Sequence, residues 1–104
     1  MNNRIPSIIK KIVNVESDTY IIFFVEGCPY CDKARELLKE NRVRYKGYDI
    51  NTIDGGMPEL LRVLVAYKDL INFDPKHITK PIIFYNKKFI GGKTELEAII
   101  NSRA

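Results

Sequence analysis

The two cysteines of this chain lie three positions apart and come shortly after an apolar run, and this arrangement limits the fold more than any other feature. The run Tyr20–Val25 is apolar throughout, as expected of a strand covered on both faces, and Cys28-Pro29-Tyr30-Cys31 follows it. A helix that begins at Pro29 loses no hydrogen bond to the proline, because the first N–H groups of a helix have no partner within it. The pattern therefore predicts a strand, a dithiol and a helix in immediate succession.

In that arrangement Cys28 is the N-cap residue and faces the positive end of the helix macrodipole. A thiol there is expected to ionise more readily than a free one, and the thiolate is the nucleophile of thiol–disulfide exchange. Cys31 follows one turn later, close enough to form a small disulfide with Cys28 or to resolve a mixed disulfide formed on it. We therefore predict that Cys28 and Cys31 are catalytic.

Other uses of a cysteine pair fit this composition less well. A structural zinc site needs four ligands, whereas the chain has two cysteines and a single histidine, His77, far along the sequence, so no metal is expected. His77 is assigned no role. A disulfide that closes so short a loop would stabilise the fold little. A redox-active dithiol is the favoured interpretation.

Length and charge limit the possible classes of protein. A chain of 104 residues is expected to form one domain over residues 1–104. Its longest apolar run is far shorter than the ~20 residues that a membrane span requires, and the N-terminus lacks the apolar core of a secretory signal. A net charge of +4 without a block of basic residues does not favour nucleic acid binding. We expect a cytoplasmic monomer that binds neither nucleic acid nor membrane, and a small anionic substrate suits the positive charge.

Hydrophobic periodicity predicts elements in the order α, β, α, β, α, β, β, α, at residues 5–14, 19–25, 29–40, 44–50, 57–70, 81–85, 88–90 and 93–102. The apolar stripe of the third helix is predicted to consist of Leu60, Leu61, Leu64 and Val65. A βαβ unit followed by a hairpin and a final helix is typical of the thioredoxin-like fold. We expect an α/β protein with a four-stranded mixed sheet flanked by helices and an extra N-terminal helix.

Three short motifs occur in order along the chain: Gly27-Cys28-Pro29-Tyr30-Cys31, Thr79-Lys80-Pro81, and Ile90-Gly91-Gly92-Lys93-Thr94-Glu95. Together they make residues 19–102 resemble the dithiol glutaredoxins, particularly the small bacterial-type members. In that family the second motif is Thr-Val-Pro with a cis proline beside the active cysteines. The third is a Gly-Gly turn before a helix that receives the γ-glutamyl end of glutathione.

The resemblance implies a glutathione site. Backbone amides at the start of the last helix would hold the α-carboxylate of glutathione, and the Glu95 carboxylate would hold its ammonium. A cis peptide at Pro81 would leave the Lys80 backbone free to pair with a peptide-like substrate. Tyr30 is expected to flank the groove. The predicted glutathione-binding residues are Tyr30, Lys80, Pro81, Gly92, Thr94 and Glu95.

Two positions depart from the family pattern. Glutaredoxins usually have Lys or Arg three residues before the nucleophile, where this chain has Val25, and the next residue is Glu26, whose negative charge would oppose a Cys28 thiolate. Lys80 replaces the valine of the second motif. It either supplies the missing positive charge from the other side of the groove or points to solvent, and the sequence leaves both possibilities open.

The resemblance implies an enzyme that uses glutathione as co-substrate to reduce disulfide-containing or glutathionylated proteins. A thioredoxin-type reductant recharged by a flavoprotein is one alternative, although thioredoxins resemble Trp-Cys-Gly-Pro-Cys at the site and this chain has no tryptophan. A module that binds a [2Fe-2S] cluster with glutathione is another. The glutaredoxins that do so mostly have a single cysteine followed by glycine, where this chain has Pro29.

Overall fold

The strands form one four-stranded mixed sheet, and helices cover both of its faces. The computed structural model describes residues 4–103. Its helices are α1 (Ser7–Val13), α2 (Pro29–Glu40), α3 (Gly56–Ala66), α4 (Lys68–Ile71) and α5 (Lys93–Asn101), with a 3-10 turn at Ile50–Thr52. Its strands are β1 (Tyr20–Phe24), β2 (Tyr45–Asp49), β3 (Ile82–Tyr85) and β4 (Lys88–Gly91). The predicted fold class is confirmed.

The sheet has the strand order β2-β1-β3-β4. Strand β1 is parallel to β2 and antiparallel to β3, and β3 forms a hairpin with β4. Every residue of β1 is buried, as its apolar sequence predicts for a central strand covered on both faces. The cysteines follow β1 directly, so they lie at the carboxyl end of the central strand.

Side chains that alternate along β1 enter two separate cores. Ile21 and Phe23 pack with α1, α3 and α4, in the first core. Tyr20, Ile22 and Phe24 pack with α2 and α5, in the second core. Cys31 belongs to the second core and is fully buried there. The helix that contains the cysteines is therefore fixed to the sheet by its own buried face.

The third predicted helix differs from the structure in extent and in its buried face. It is divided at Tyr67 into α3 and α4, and Ile71 at the end of α4 is fully buried in the first core. Val63 is buried in place of Val65, which is exposed. Ile71 and Val63 pack against the sheet in the first core. This tertiary packing is not visible in the local sequence pattern, and it accounts for both the extent of the helix and the identity of its buried face. None of the helices within residues 4–103 is long and apolar enough to span a membrane.

Candidate active site

Cys28 is the N-cap residue of α2, as the sequence predicts. Its Sγ accepts a hydrogen bond from the Cys31 N–H at 3.4 Å, and Pro29 occupies the first turn of the helix. The preceding Gly27 has a φ of 82°, a left-handed conformation that a residue without Cβ adopts at little cost. The N-terminal dipole of α2 and the Cys31 amide thus both favour negative charge on the Cys28 sulfur.

The two thiols differ in their access to solvent. Cys28 is half-buried, whereas Cys31 is fully buried. Burial, together with the hydrogen bond to Cys28, raises the pKa of Cys31 to about 12. Cys31 is therefore a neutral thiol at physiological pH, and Cys28 is the more accessible of the two thiols.

Arg35 offsets part of the negative charge beside Cys28. Its guanidinium lies 3.5 Å from the Glu26 carboxylate and 3.9 Å above the centre of the Phe24 ring. The Glu26 side chain is largely exposed, so solvent screens this ion pair. A positively charged side chain, which the sequence analysis did not consider, therefore lies beside the carboxylate that is expected to oppose a Cys28 thiolate.

The six residues predicted to bind glutathione all line a single open cavity of about 440 Å³, here called the Thr94 cavity; they are Tyr30, Lys80, Pro81, Gly92, Thr94 and Glu95. The Lys80–Pro81 peptide is cis. Three further residues that the sequence did not assign to the site, His77, Thr79 and Lys93, complete the lining. Segments distant in sequence thus form one surface.

Glu95 lines the Thr94 cavity and also has a structural role at the start of α5. Its Oε1 accepts a hydrogen bond from the Gly92 N–H at 2.8 Å and so caps the start of α5. The side chain lies so close to Gly91, whose φ is 128°, that a Cβ there would come within 2.6 Å of it. Oε2 is the carboxylate oxygen left for a ligand.

His77 contacts two other residues of the cavity wall, Pro81 and Gly92, and also Phe89. Its Nε2 lies 3.2 Å from the Pro81 carbonyl oxygen, to which the Nε2–H tautomer donates, and its ring packs edge-on against Phe89 at 5.1 Å. A Cβ on Gly92 would lie 3.4 Å from the same ring. The sequence assigned His77 no role, and the structure gives it a structural one. The polar Asp74–Lys76 turn before it gave no sign of this contact.

A second cavity of about 350 Å³, here called the Met57 cavity, adjoins the first. It is lined by Cys28, Met57, Ile78, Thr79 and Lys80. Thr79 and Lys80 line both cavities and therefore lie between them. The nucleophile candidate opens into the Met57 cavity, beside the segment that the two cavities share.

Lys80 is the positively charged residue of this shared segment. Its side chain is exposed, and among residues 4–103 no carboxylate lies within 4.0 Å of its ammonium. Its positive charge acts on the Cys31 thiol, whose pKa it lowers against the larger effect of burial. Lys93, in contrast, is paired with Glu97 at 3.1 Å.

Two other observations concern ligands of different kinds. Within residues 4–103, no three His, Cys, Asp or Glu side chains come together as a metal site. A cavity of about 410 Å³ between α1 and the start of α3 includes Lys11 and Tyr48 in its lining, but none of the three sequence motifs contributes to it. The chemistry-bearing residues are concentrated around Cys28.

Comparisons with known proteins agree with this geometry. A sequence model of the glutaredoxin family matches residues 20–90, which include both cysteines and Thr79–Pro81. The probable glutaredoxin of Acanthamoeba polyphaga mimivirus is 47% identical over 96 residues, which are 92% of this chain and 91% of the viral protein. The dithiolic glutaredoxin of Trypanosoma brucei brucei is 28% identical with a TM-score of 0.68, over 94% of this chain and 90% of that one. A buckwheat glutaredoxin–glutathione complex has the same fold, with a TM-score of 0.65 and 19% identity over 92% of this chain and 84% of that one.

Proposed function

Because this chain belongs to the glutaredoxin family and is a thiol–disulfide oxidoreductase, we propose that it takes electrons from glutathione and reduces glutathione mixed disulfides and protein disulfides. The observation that most directly supports this is the position of the Cys28 thiol. It is half-buried at the N-terminus of α2 and adjoins Thr79 and Lys80, which also line the Thr94 cavity. A nucleophile therefore lies beside a cavity of suitable size for a tripeptide.

Deglutathionylation requires only Cys28. Its thiolate attacks the glutathione sulfur of a mixed disulfide, a bond forms between Cys28 and glutathione, and the protein sulfur leaves as a thiolate that takes a proton from water. A second glutathione loses its proton and attacks the glutathione attached to Cys28. Glutathione disulfide leaves, and the Cys28 thiolate is restored.

Reduction of a protein disulfide requires both cysteines. Cys28 attacks one sulfur of the substrate, and the other sulfur leaves and is protonated. Cys31 then attacks Cys28, its proton passes to the departing substrate thiolate, and a Cys28–Cys31 disulfide forms. Two glutathione molecules reduce that disulfide and leave as glutathione disulfide. The 3.4 Å contact between the Cys31 amide and the Cys28 sulfur supports this role, because the two residues are already adjacent.

Charges around the Thr94 cavity match the two ends of glutathione. Lys93 and Thr94 line the cavity at the start of α5, where the first N–H groups of a helix have no partner within it and would hold the α-carboxylate. The Gly92 N–H is already bonded to Glu95, so Glu95 Oε2 would receive the ammonium. Lys80, which has no ion-pair partner within residues 4–103, would supply the positive charge that Val25 lacks.

The electron donor is tested with one pair of assays. Reduction of bis(2-hydroxyethyl) disulfide is followed through NADPH, with either glutathione plus glutathione reductase or thioredoxin reductase alone supplying electrons. We expect turnover only in the glutathione assay. Turnover with thioredoxin reductase alone would contradict the proposal and favour a thioredoxin-type reductant. A brown protein with absorbance beyond 400 nm would favour the cluster-binding alternative.

The roles of the two thiols are tested with serine variants. Cys28→Ser should abolish both reactions, because an alcohol does not replace a thiolate nucleophile. Cys31→Ser should retain reduction of a glutathione mixed disulfide and lose reduction of a protein disulfide. Retained activity in Cys28→Ser together with complete loss in Cys31→Ser would show that the assignments are reversed.

A further inference from the structure

Two apolar side chains flank Cys28 and are the most exposed of their kind in residues 4–103. Ile78 is 67% exposed and Tyr30 is 63% exposed, whereas the next, Leu70, is 48% exposed. A single exposed apolar side chain is ordinary. Ile78, however, lines a concave surface together with Met57 and the candidate nucleophile itself. An apolar recess that opens beside a reactive sulfur is suited to bind an apolar group of the molecule that forms a disulfide with that sulfur.

Glutathione does not account for this recess. Bound through the motif residues it would occupy the Thr94 cavity, to which neither Met57 nor Ile78 contributes. A protein disulfide is different, because its chain continues on both sides of the reacting cysteine. If such a cysteine were joined to Cys28, the two cavities on either side of Thr79 and Lys80 would be open to the two flanks of its chain.

We propose that the Met57 cavity is a docking site for protein substrates, an inference that rests on the proposed function. Its occupant is a segment of a disulfide-bonded protein with an apolar side chain next to the reacting cysteine and a carboxylate nearby. Met57 and Ile78 contact the apolar side chain. Lys80 pairs with the carboxylate, since its ammonium has no acidic partner among residues 4–103 and the protein has a net charge of +4.

The chemistry is the first half of the reduction described above. The Cys28 thiolate forms a disulfide bond with the docked cysteine, and the substrate disulfide breaks. Its second sulfur leaves and takes a proton from water. Cys31 then displaces the docked cysteine, which leaves as a thiol with the proton of Cys31. The substrate gains two electrons, and Cys28 and Cys31 lose two. No glutathione is needed for this half, so docking is measurable in its absence.

The test is a single turnover of the reduced full-length protein with peptide disulfides. Each substrate is a symmetric dimer of a short peptide with one cysteine, and the products are two peptide thiols, counted after an acid quench. Four peptides combine leucine or serine beside the cysteine with aspartate or asparagine one residue further away. Each peptide is made with these two residues on the N-terminal side of the cysteine and again with them on its C-terminal side, because either flank is able to enter the cavity.

The wild-type protein should react about tenfold faster with the leucine than with the serine peptide, as expected if much of a leucine side chain leaves water. Ile78→Ser should remove most of that preference, whereas Leu70→Ser, a matched change at an exposed position outside both cavities, should retain it. The aspartate preference should be about threefold at low salt, and it should disappear in Lys80→Gln and at high salt.

Equal rates for all four peptides would overturn the docking site and leave the proposed function intact. No peptide reduction at all would overturn the docking site together with the protein-disulfide part of the proposed function, while reduction of glutathione mixed disulfides would still stand. The recess would instead serve a second glutathione if Ile78→Ser left the leucine preference unchanged and slowed the reaction of glutathione with the enzyme–glutathione disulfide. That result would also overturn the proposal.

Discussion

At the scale of single residues, burial separates two thiols that are three positions apart in the sequence. Cys28 accepts the Cys31 N–H at the end of a helix dipole, while Cys31 lies in the second core among Ala34 and Leu38. Desolvation opposes an anion at Cys31 and raises its pKa to about 12. The sequence predicts the position of Cys28 from local geometry alone. It does not predict the burial of Cys31, which depends on how α2 packs.

Alkylation should show this difference directly. At about pH 7.5 iodoacetamide should modify Cys28 and leave Cys31 unmodified, because a pKa raised above that of a free thiol keeps Cys31 protonated and unreactive. In Cys28→Ser, where burial still raises the pKa of Cys31, its alkylation rate should continue to rise about tenfold per pH unit beyond pH 9. Mass spectrometry of the reacted protein measures both rates. A Cys31 rate that levels off near pH 9 would show that its thiol ionises as a free one does.

At the scale of elements, the α5 N-terminus combines helix capping with the proposed ligand contact. Glu95 Oε1 accepts the Gly92 N–H, and the side chain covers Gly91. Glu95 is exposed, as expected for the first turn of a surface helix. Deleting its side chain would nevertheless leave the Gly92 N–H without its partner.

Two substitutions separate these roles. Glu95→Gln retains an oxygen that caps the helix and removes the charge, so glutathione binding should weaken by about 1–2 kcal/mol with little change in stability. Glu95→Ala should weaken binding similarly and also lower the free energy of unfolding by about 0.5–2 kcal/mol. Urea denaturation and the KM for glutathione measure the two effects. Equal stability of both variants and the wild type would show that the cap contributes nothing.

Elements with a strong local signal are predicted well from this sequence. Helix α2 begins at Pro29 and ends at Glu40 as predicted, and Asn86-Lys87 connects β3 to β4 with positive φ at both residues. The 3-10 turn at Ile50–Thr52, which Asp49 caps through a 2.9 Å bond to the Asn51 N–H, was missed because its signal is only three residues long. The division between α3 and α4 depends on tertiary packing, so the local sequence pattern does not predict it.

The candidate site residues, like the helices and strands, are predicted well where the local sequence signal is strong. The six residues predicted to bind glutathione all stand within contiguous motifs, and the structure brings them into one cavity. His77, Met57 and Ile78 were not predicted, because they reach the site from the loop before β3 and from the first turn of α3. Only the arrangement of the sheet brings these segments together.

At the scale of the whole molecule, the two cores lie on opposite faces of one sheet, and the cysteines lie at the end of its central strand. Helix α1, the additional N-terminal helix, contributes Ile9 and Ile12 to the first core, while α2 is fixed by the second. A substitution in α1 should therefore lower the stability of the protein without changing the reactivity of Cys28.

Ile12→Ala tests that separation. Ile12 is fully buried, so its truncation should lower the free energy of unfolding by about 2–5 kcal/mol, whereas Ile5→Ala, at an exposed position before the helix, should change it by less than about 0.5 kcal/mol. Disulfide reduction at a temperature where both variants are folded should match the wild type. A lower rate in folded Ile12→Ala would show that α1 supports the site.

The buried Cys31 proton also determines how the reduction potential of the protein follows pH. Above about pH 9.5 two ordinary thiols are both ionised, and their oxidation to a disulfide releases no proton, so their midpoint potential no longer changes with pH. Here Cys31 keeps its proton until about pH 12, and each oxidation must release it to the solvent. The midpoint potential should therefore continue to fall by about 30 mV per pH unit between roughly pH 9.5 and 11, the value for one proton and two electrons. Equilibration with a redox couple of known potential at each pH measures this slope, and a potential that stays constant over that range would mean that both thiols are ionised there.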